Sequence, residues 1–156
     1  MRYWCISTSP QNWEICKKNK VWGMDARYFI TFKKFLKSGD KAIVYNHGGK
    51  FVAVIEFKGK FFHSTKDIGW KKGKNKFLFP YRIKFQTILE AQNPPQISYS
   101  TEELGNKAKW VKPNSIDEIT FIADKGKTWN QYLQVSIIRI TKEDFNKLYT
   151  AIKKTY

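Results

Sequence analysis

His47-Gly48-Gly49-Lys50 separates two runs that read as strands, Lys41 to Tyr45 and Phe51 to Phe57. Paired glycines there permit the positive backbone angles of a tight hairpin, which forces the two strands to be antiparallel neighbours. Upstream, Tyr3 to Ser7 alternates, with Tyr3, Cys5 and Ser7 on one face and Trp4 and Ile6 on the other. Ser9-Pro10 then supplies an N-cap and a proline for the first helical position, which predicts a helix over Pro10 to Lys20. Its basic end, Lys17-Lys18-Asn19-Lys20, suits the helix dipole. Val21-Trp22-Gly23 reads as a loop. A second helix is predicted over Ala26 to Lys37, with Tyr28, Phe32, Phe35 and Leu36 at helical spacing.

Further along, Ser38-Gly39-Asp40 reads as a turn, and Gly59 as a bulge leading into Lys60 to His63. Ile68 to Lys76 reads as a loop rich in glycine and lysine. Phe77 to Phe85 is strand-like but interrupted at Pro80, which belongs at an edge or bulge because it cannot donate to a ladder. Gln92 to Ser100 reads as a connection, Thr101 to Asn106 as a helical turn, and Ile119 to Ala123 and Val135 to Ile140 as strands. Thr141 with Asp144 opens a last helix whose apolar stripe is Phe145, Leu148, Tyr149 and Ile152. Strand, helices, several strands and a final helix argue for an α+β fold with an antiparallel, barrel-like sheet. At 156 residues the chain is expected to form one domain, 1–156.

Several functional classes lack their signatures. No run of about 18 apolar residues marks a membrane span, and Met1-Arg2-Tyr3-Trp4 does not begin a signal peptide. Cys5 and Cys16 are too few for a disulfide scaffold and read as buried thiols, so the expected compartment is cytoplasmic. His47 and His63 read as loop or strand-end residues rather than ligands, and no zinc, calcium or phosphate-loop spacing occurs. Asp25, Asp40 and Glu56 are the few candidates for acid/base carboxylates. The expectation is a chain without metal or cofactor and without catalysis.

The charge is informative because it is uneven. Net charge is +16, yet nine of the 29 basic residues lie between positions 58 and 84 against the single acid Asp67. Lys58, Lys60, Lys66, Lys71, Lys72, Lys74, Lys76, Arg82 and Lys84 alternate there with Phe61, Phe62, Trp70, Phe77, Phe79 and Tyr81. Cations beside aromatics suit a nucleic-acid backbone with splayed bases; lysines guarding an edge hairpin are the plainer explanation. Six tryptophans are many for this length. Most are expected in the core, but Trp22, in a predicted loop, is placed to stack on a planar base.

The segments RYWCISTSPQNWEICKKNKVWG, KSGDKAIVY, FPYRIKF and WNQYLQVSIIRITKEDF together resemble the EVE domain of the PUA-like superfamily. The resemblance implies a PUA-like twisted antiparallel β-barrel flanked by helices, with a pocket for one modified base in DNA or RNA. The related YTH and SRA-type domains read methylated bases. By this resemblance Trp22 is one wall of the pocket and Asn12 contacts the base edge. Ser7 and Thr8 supply hydroxyl and backbone contacts, and Trp70 lies near a second cage tryptophan. Gly23 departs from relatives that carry a hydroxyl residue there. The expected partner is therefore nucleic acid, DNA or RNA carrying a modified base of the methylated kind, held through the basic block and without a membrane. Three alternatives stay open: a ribonuclease-like enzyme on the same fold, an RNA-binding module indifferent to modification, and a protein-interaction domain.

Overall fold

Alternation in the first strand sorts its side chains between two cores. β1 (Tyr3–Thr8) sends Trp4 and Ile6 into the larger core and Cys5 into a smaller one on the opposite face. The computed structural model describes residues 1–99, 108–110 and 137–155. Ser9 caps α1 (Pro10–Asn19), its Oγ accepting the Asn12 N–H at 3.1 Å. Lys20 ends the helix in the left-handed region at φ 54°, its N–H returning to the Cys16 carbonyl. Trp13 and Cys16 are the buried face of α1.

Two expectations change in the next segment. Val21-Trp22-Gly23 is not a loop but part of β2 (Val21–Met24), all four residues of which are buried. β2 is hydrogen-bonded antiparallel to β7 (Tyr81–Glu90), with Val21 opposite Lys84 and Met24 opposite Tyr81. Four residues are too few for periodicity to register, and the partner strand lies sixty residues away in the register. The second helix, α2 (Ala26–Phe32), stops short of Lys37. The chain tightens there, with Phe35 and Leu36 both donating to the Phe32 carbonyl, so that Leu36 turns into the core. The following turn is built around Asp40. Its buried carboxylate accepts from Arg2 N at 2.9 Å, Lys37 N at 3.0 Å and the Trp4 indole at 3.1 Å.

β3 (Lys41–Asn46) and β4 (Lys50–His63) form the expected hairpin, with Gly48 at φ 107° and Gly49 at φ 96°. β4 runs on through Gly59, where the pairing with β7 shifts register between Lys58 and Phe62, as a bulge requires. Within the predicted lysine loop, β5 (Lys71–Lys72) and β6 (Asn75–Lys76) make a small hairpin. Pro80 stands immediately before β7 rather than within it. β8 (Ile97–Tyr99) pairs with β9 (Ala108–Trp110), so a strand begins inside the predicted connection. Thr101 to Asn106 and Ile119 to Ala123 lie outside the described residues. β10 (Ile137–Ile140) leads to α3 (Lys142–Lys154), capped by Thr141, whose Oγ1 accepts the Asp144 N–H.

The main sheet has the order β10-β1-β3-β4-β7-β2 and curls into a half-barrel accompanied by the three helices, the α+β, PUA-like arrangement the sequence implied. One junction is parallel: β1 lies beside β3 with Tyr3 opposite Lys41 and Thr8 opposite Asn46. A parallel neighbour needs a long crossover, which α1, β2 and α2 provide. The crossover elements enclose the larger core, where Trp4, Trp13, Trp22, Phe57, Trp70 and Ile83 meet. α3 covers the other face with Phe145, Leu148 and Ile152. Among the described residues no helix is long and apolar enough to cross a membrane.

Candidate functional site

Placing β1 parallel to β3 leaves their carboxyl ends side by side. Thr8 Oγ1 donates to Asn46 Oδ1 at 2.8 Å, and His47 N donates to the Thr8 carbonyl at 2.9 Å. A cavity of about 430 Å³ is built at this end, within the size range of small-molecule sites. Ser7, Thr8 and Ser9 line one part, with Asn12 and Cys16 of α1. Trp22 and Gly23 of β2 and Asp25, Arg27 and Tyr28 at the start of α2 line another, and His47, Trp70, Lys71, Lys72 and Phe79 also border it.

All five residues expected at a base pocket, Ser7, Thr8, Asn12, Trp22 and Trp70, therefore border one cavity. Their roles differ in detail. Trp22 is 3% exposed, with its ring 6.0 Å from Phe57, so most of it is core and little faces the cavity. Trp70 is 2% exposed and held on several sides. Its indole bonds the Cys16 thiol, Phe79 meets it edge-on at 5.5 Å, and the Arg82 guanidinium lies 5.0 Å from its ring centroid. The Asn12 amide is engaged with main chain: Nδ2 donates to the Lys71 carbonyl at 2.6 Å, and Oδ1 accepts from Lys71 N at 3.0 Å. One donor hydrogen and one acceptor lone pair of that amide remain for a ligand. By tying Lys71 to α1, Asn12 also fixes the β5–β6 hairpin at the cavity mouth.

Gly23 matters for lack of a side chain. A Cβ there would sit 2.7 Å from the Phe79 carbonyl oxygen, 2.8 Å from Trp70 Cζ3 and 2.9 Å from Phe79 Cβ. A hydroxyl residue at this position has no room here, because Trp70 and Phe79 occupy its space.

The basic block does not act as one surface. Lys71 and Lys72 lie at the cavity, and Lys74 and Lys76 continue along the same exposed hairpin, with Lys76 3.7 Å from Asp67. Lys60 and Lys66 are exposed. Lys58 and Lys84 are opposite each other in the β4–β7 ladder. Both are exposed and neither borders the cavity, and Lys58 pairs with Glu56. Arg82 is a correction: it is 3% exposed and cannot hold a phosphate. Its guanidinium donates to Phe79 O at 3.3 Å, Ser64 Oγ at 3.1 Å, Lys66 O at 2.5 Å and Leu78 O at 2.9 Å.

Sequence reasoning missed Asp25, Arg27, Tyr28, His47 and Phe79. Tyr28 was visible as part of a helical stripe and Asp25 as a carboxylate, but nothing local placed them at the end of β1. Asp25 caps α2, an oxygen accepting from Tyr28 N at 3.2 Å. Arg27 lies 4.7 Å from the Tyr28 ring centroid and donates to its hydroxyl, while Lys72 lies 5.2 Å from the Phe77 ring. Burial lowers the His47 pKa, which keeps the imidazole neutral at pH 7. It pushes the Cys16 thiol up to about 12, so the cavity holds no thiolate nucleophile. No group of three or more His, Cys, Asp or Glu suited to a metal occurs among the described residues. The lining thus offers aromatic surface, hydroxyl and amide groups, one carboxylate, and cations at one margin, a combination fit for a planar polar ligand with an anionic tail.

Comparison with known proteins agrees with this architecture. The EVE domain family model matches residues 2–151. The UPF0310 protein PYRAB08750 of Pyrococcus abyssi is 40% identical over 124 residues, and the UPF0310 protein PH1033 of Pyrococcus horikoshii is 28% identical over 122; each alignment spans 70% of this chain and 83% of the relative. Among solved structures, the Mmi1 YTH domain matches with a TM-score of 0.62 at 9% identity, covering 98% of this chain and 88% of that one. The same domain solved in complex with RNA matches at 0.60 with 11% identity, covering 98% and 78%.

Proposed function

The chain belongs to the EVE domain family, and from that premise we propose that it is a non-catalytic nucleic-acid-binding module that reads a modified base, of the methylated kind, in DNA or RNA. The observation that carries this reading is the meeting of Trp22, Trp70, Tyr28 and Phe79 with Lys71 and Lys72 at one cavity. The RNA complex of the similarly folded Mmi1 YTH domain supports it. The target nucleotide leaves its stack and enters the cavity; Ser7, Thr8 and the free valences of Asn12 bond its edge. Lysines of the β5–β6 hairpin meet the phosphates. Unstacking costs a few kcal/mol, and stacking on protein aromatics returns about 1–3 kcal/mol per base. A methyl group moved from water into an apolar slot contributes about 0.8 kcal/mol more. Asp25, an acceptor-only carboxylate in the lining, favours bases that present an amino group over those that present a carbonyl.

The test is a binding and cleavage panel of DNA and RNA oligonucleotides with and without methylated adenine or cytosine. Preference for a modified oligonucleotide without turnover is expected. Because Trp22 is core as well as wall, Trp22→Phe is the informative variant: it keeps a ring in place and should reduce the preference while leaving salt-sensitive background binding. Equal binding of all oligonucleotides, or cleavage of any, would refute the reading in favour of a general RNA binder or a nuclease.

A further inference from the structure

Phe79 has a backbone that its side chain disfavours. Its φ is 42°, in the left-handed region, where a bulky residue is an outlier. It also precedes Pro80, and the residue before proline prefers extended backbone. Such strain persists only where surrounding contacts over-determine it. Those contacts converge on Arg82. From the second position of β7, its guanidinium donates to the carbonyls of Phe79, Leu78 and Lys66 and to the Ser64 hydroxyl. The same group lies over the Trp70 ring. The side chains so held, Trp70 and Phe79, are two of the cavity's aromatic residues. A buried arginine with its fork directed at three main-chain carbonyls of one loop is a clamp on that loop's conformation, and lysine cannot reproduce the fork.

We propose that Arg82 is a positioning residue: it never touches the ligand, but holds the 64–79 segment in the strained conformation that sets Trp70 and Phe79 as the inner wall of the cavity. This rests on the reading of the cavity as a nucleobase slot. It reverses the role that charge alone suggests, since a phosphate-binding arginine would be exposed and would contribute to salt dependence.

The experiment measures affinity of wild type, Arg82→Lys and Arg82→Gln for single-stranded DNA and RNA oligonucleotides, each with and without one methylated adenine or cytosine, across a salt series. Positioning predicts that both variants lose about tenfold or more in affinity for every oligonucleotide that wild type binds, a loss of the size that misplacing one stacking surface produces. It also predicts an unchanged salt slope in Arg82→Gln. A slope reduced by about 0.7, the value for one lost single-strand phosphate contact, overturns the proposal, as does wild-type affinity in folded Arg82→Lys. Phe79→Gly and Phe79→Ala form a second test that stands even where neither Arg82 variant folds. Glycine accepts positive φ freely, so the clamp predicts a higher unfolding midpoint for Phe79→Gly than for Phe79→Ala, with affinity lost in both. Equal midpoints, or retained affinity, overturn it. Wild type that binds modified and unmodified oligonucleotides equally refutes modified-base reading but leaves the Arg82 comparison decisive; wild type that binds none refutes the slot and this proposal together.

Discussion

Replacing Gly23 by alanine adds one methyl group and sets two opposing effects against each other. Gly23 does not have positive φ, so alanine fits its backbone, and reduced freedom of the unfolded chain would ordinarily stabilise the protein by about 0.4–1 kcal/mol. The new Cβ, however, would lie within 3.0 Å of three atoms: the Phe79 carbonyl oxygen, Trp70 Cζ3 and Phe79 Cβ. None is the free end of a flexible chain. The carbonyl is main chain held by Arg82, and the ring is fixed between Arg82 and Cys16. Overpacking a site that cannot give costs about 1–3 kcal/mol. Sterics therefore outweigh entropy, and Gly23→Ala should be less stable by about 1–2 kcal/mol. For a chain of this length that lowers the thermal midpoint by about 2–8 °C. Urea unfolding followed by tryptophan fluorescence measures it. In a Trp70→Leu background one of the three close contacts disappears, so the penalty should shrink, a coupling that a double-mutant cycle reads directly. A Gly23→Ala protein as stable as wild type, or more so, would show that β2, Trp70 and Phe79 are not packed as described.

Replacing Lys71 and Lys72 together should lower the salt slope of single-stranded oligonucleotide binding by about 1.4, whereas replacing Lys58 and Lys84, which lie outside the cavity lining, should leave it unchanged; equal effects of the two pairs would refute the division of the basic block. Asp40→Ala strands the Trp4 indole and the Arg2 and Lys37 amides, and should cost about 3 kcal/mol in urea unfolding, far more than a surface carboxylate. Burial raises the thiol pKa of both Cys5 and Cys16, so neither should react with a thiol-specific reagent at pH 8 until the protein is unfolded; mass spectrometry of native and urea-treated samples checks this.

Much of this architecture was legible in local sequence because it rests on local physics. Ser9-Pro10, Thr141 and the Gly48-Gly49 pair act through their own backbone and near neighbours, and each does in the structure what its residue type requires. Alternation from Tyr3 onward divided the two cores correctly. The apolar stripe of α3 likewise announced its buried face. The pocket residues Ser7, Thr8, Asn12, Trp22 and Trp70 were reached through resemblance to a family, and they do border one cavity.

What tertiary structure alone decided is which of these residues are free to act. The strand character of Val21-Trp22-Gly23 depends on a partner at Tyr81 to Lys84, and no window along the chain contains both. The basic block looked uniform because sequence records charge but not direction. Folding set Lys71 and Lys72 at the cavity and left Lys58 and Lys84 outside its lining, and it buried Arg82 against carbonyls. A cation's identity is local; its solvation and its hydrogen-bond partners are properties of the packed chain. Local sequence thus determined the capped helices, the hairpin and the chemistry available to them, and the long-range pairing of β1 with β3 and β2 with β7 determined where that chemistry lies.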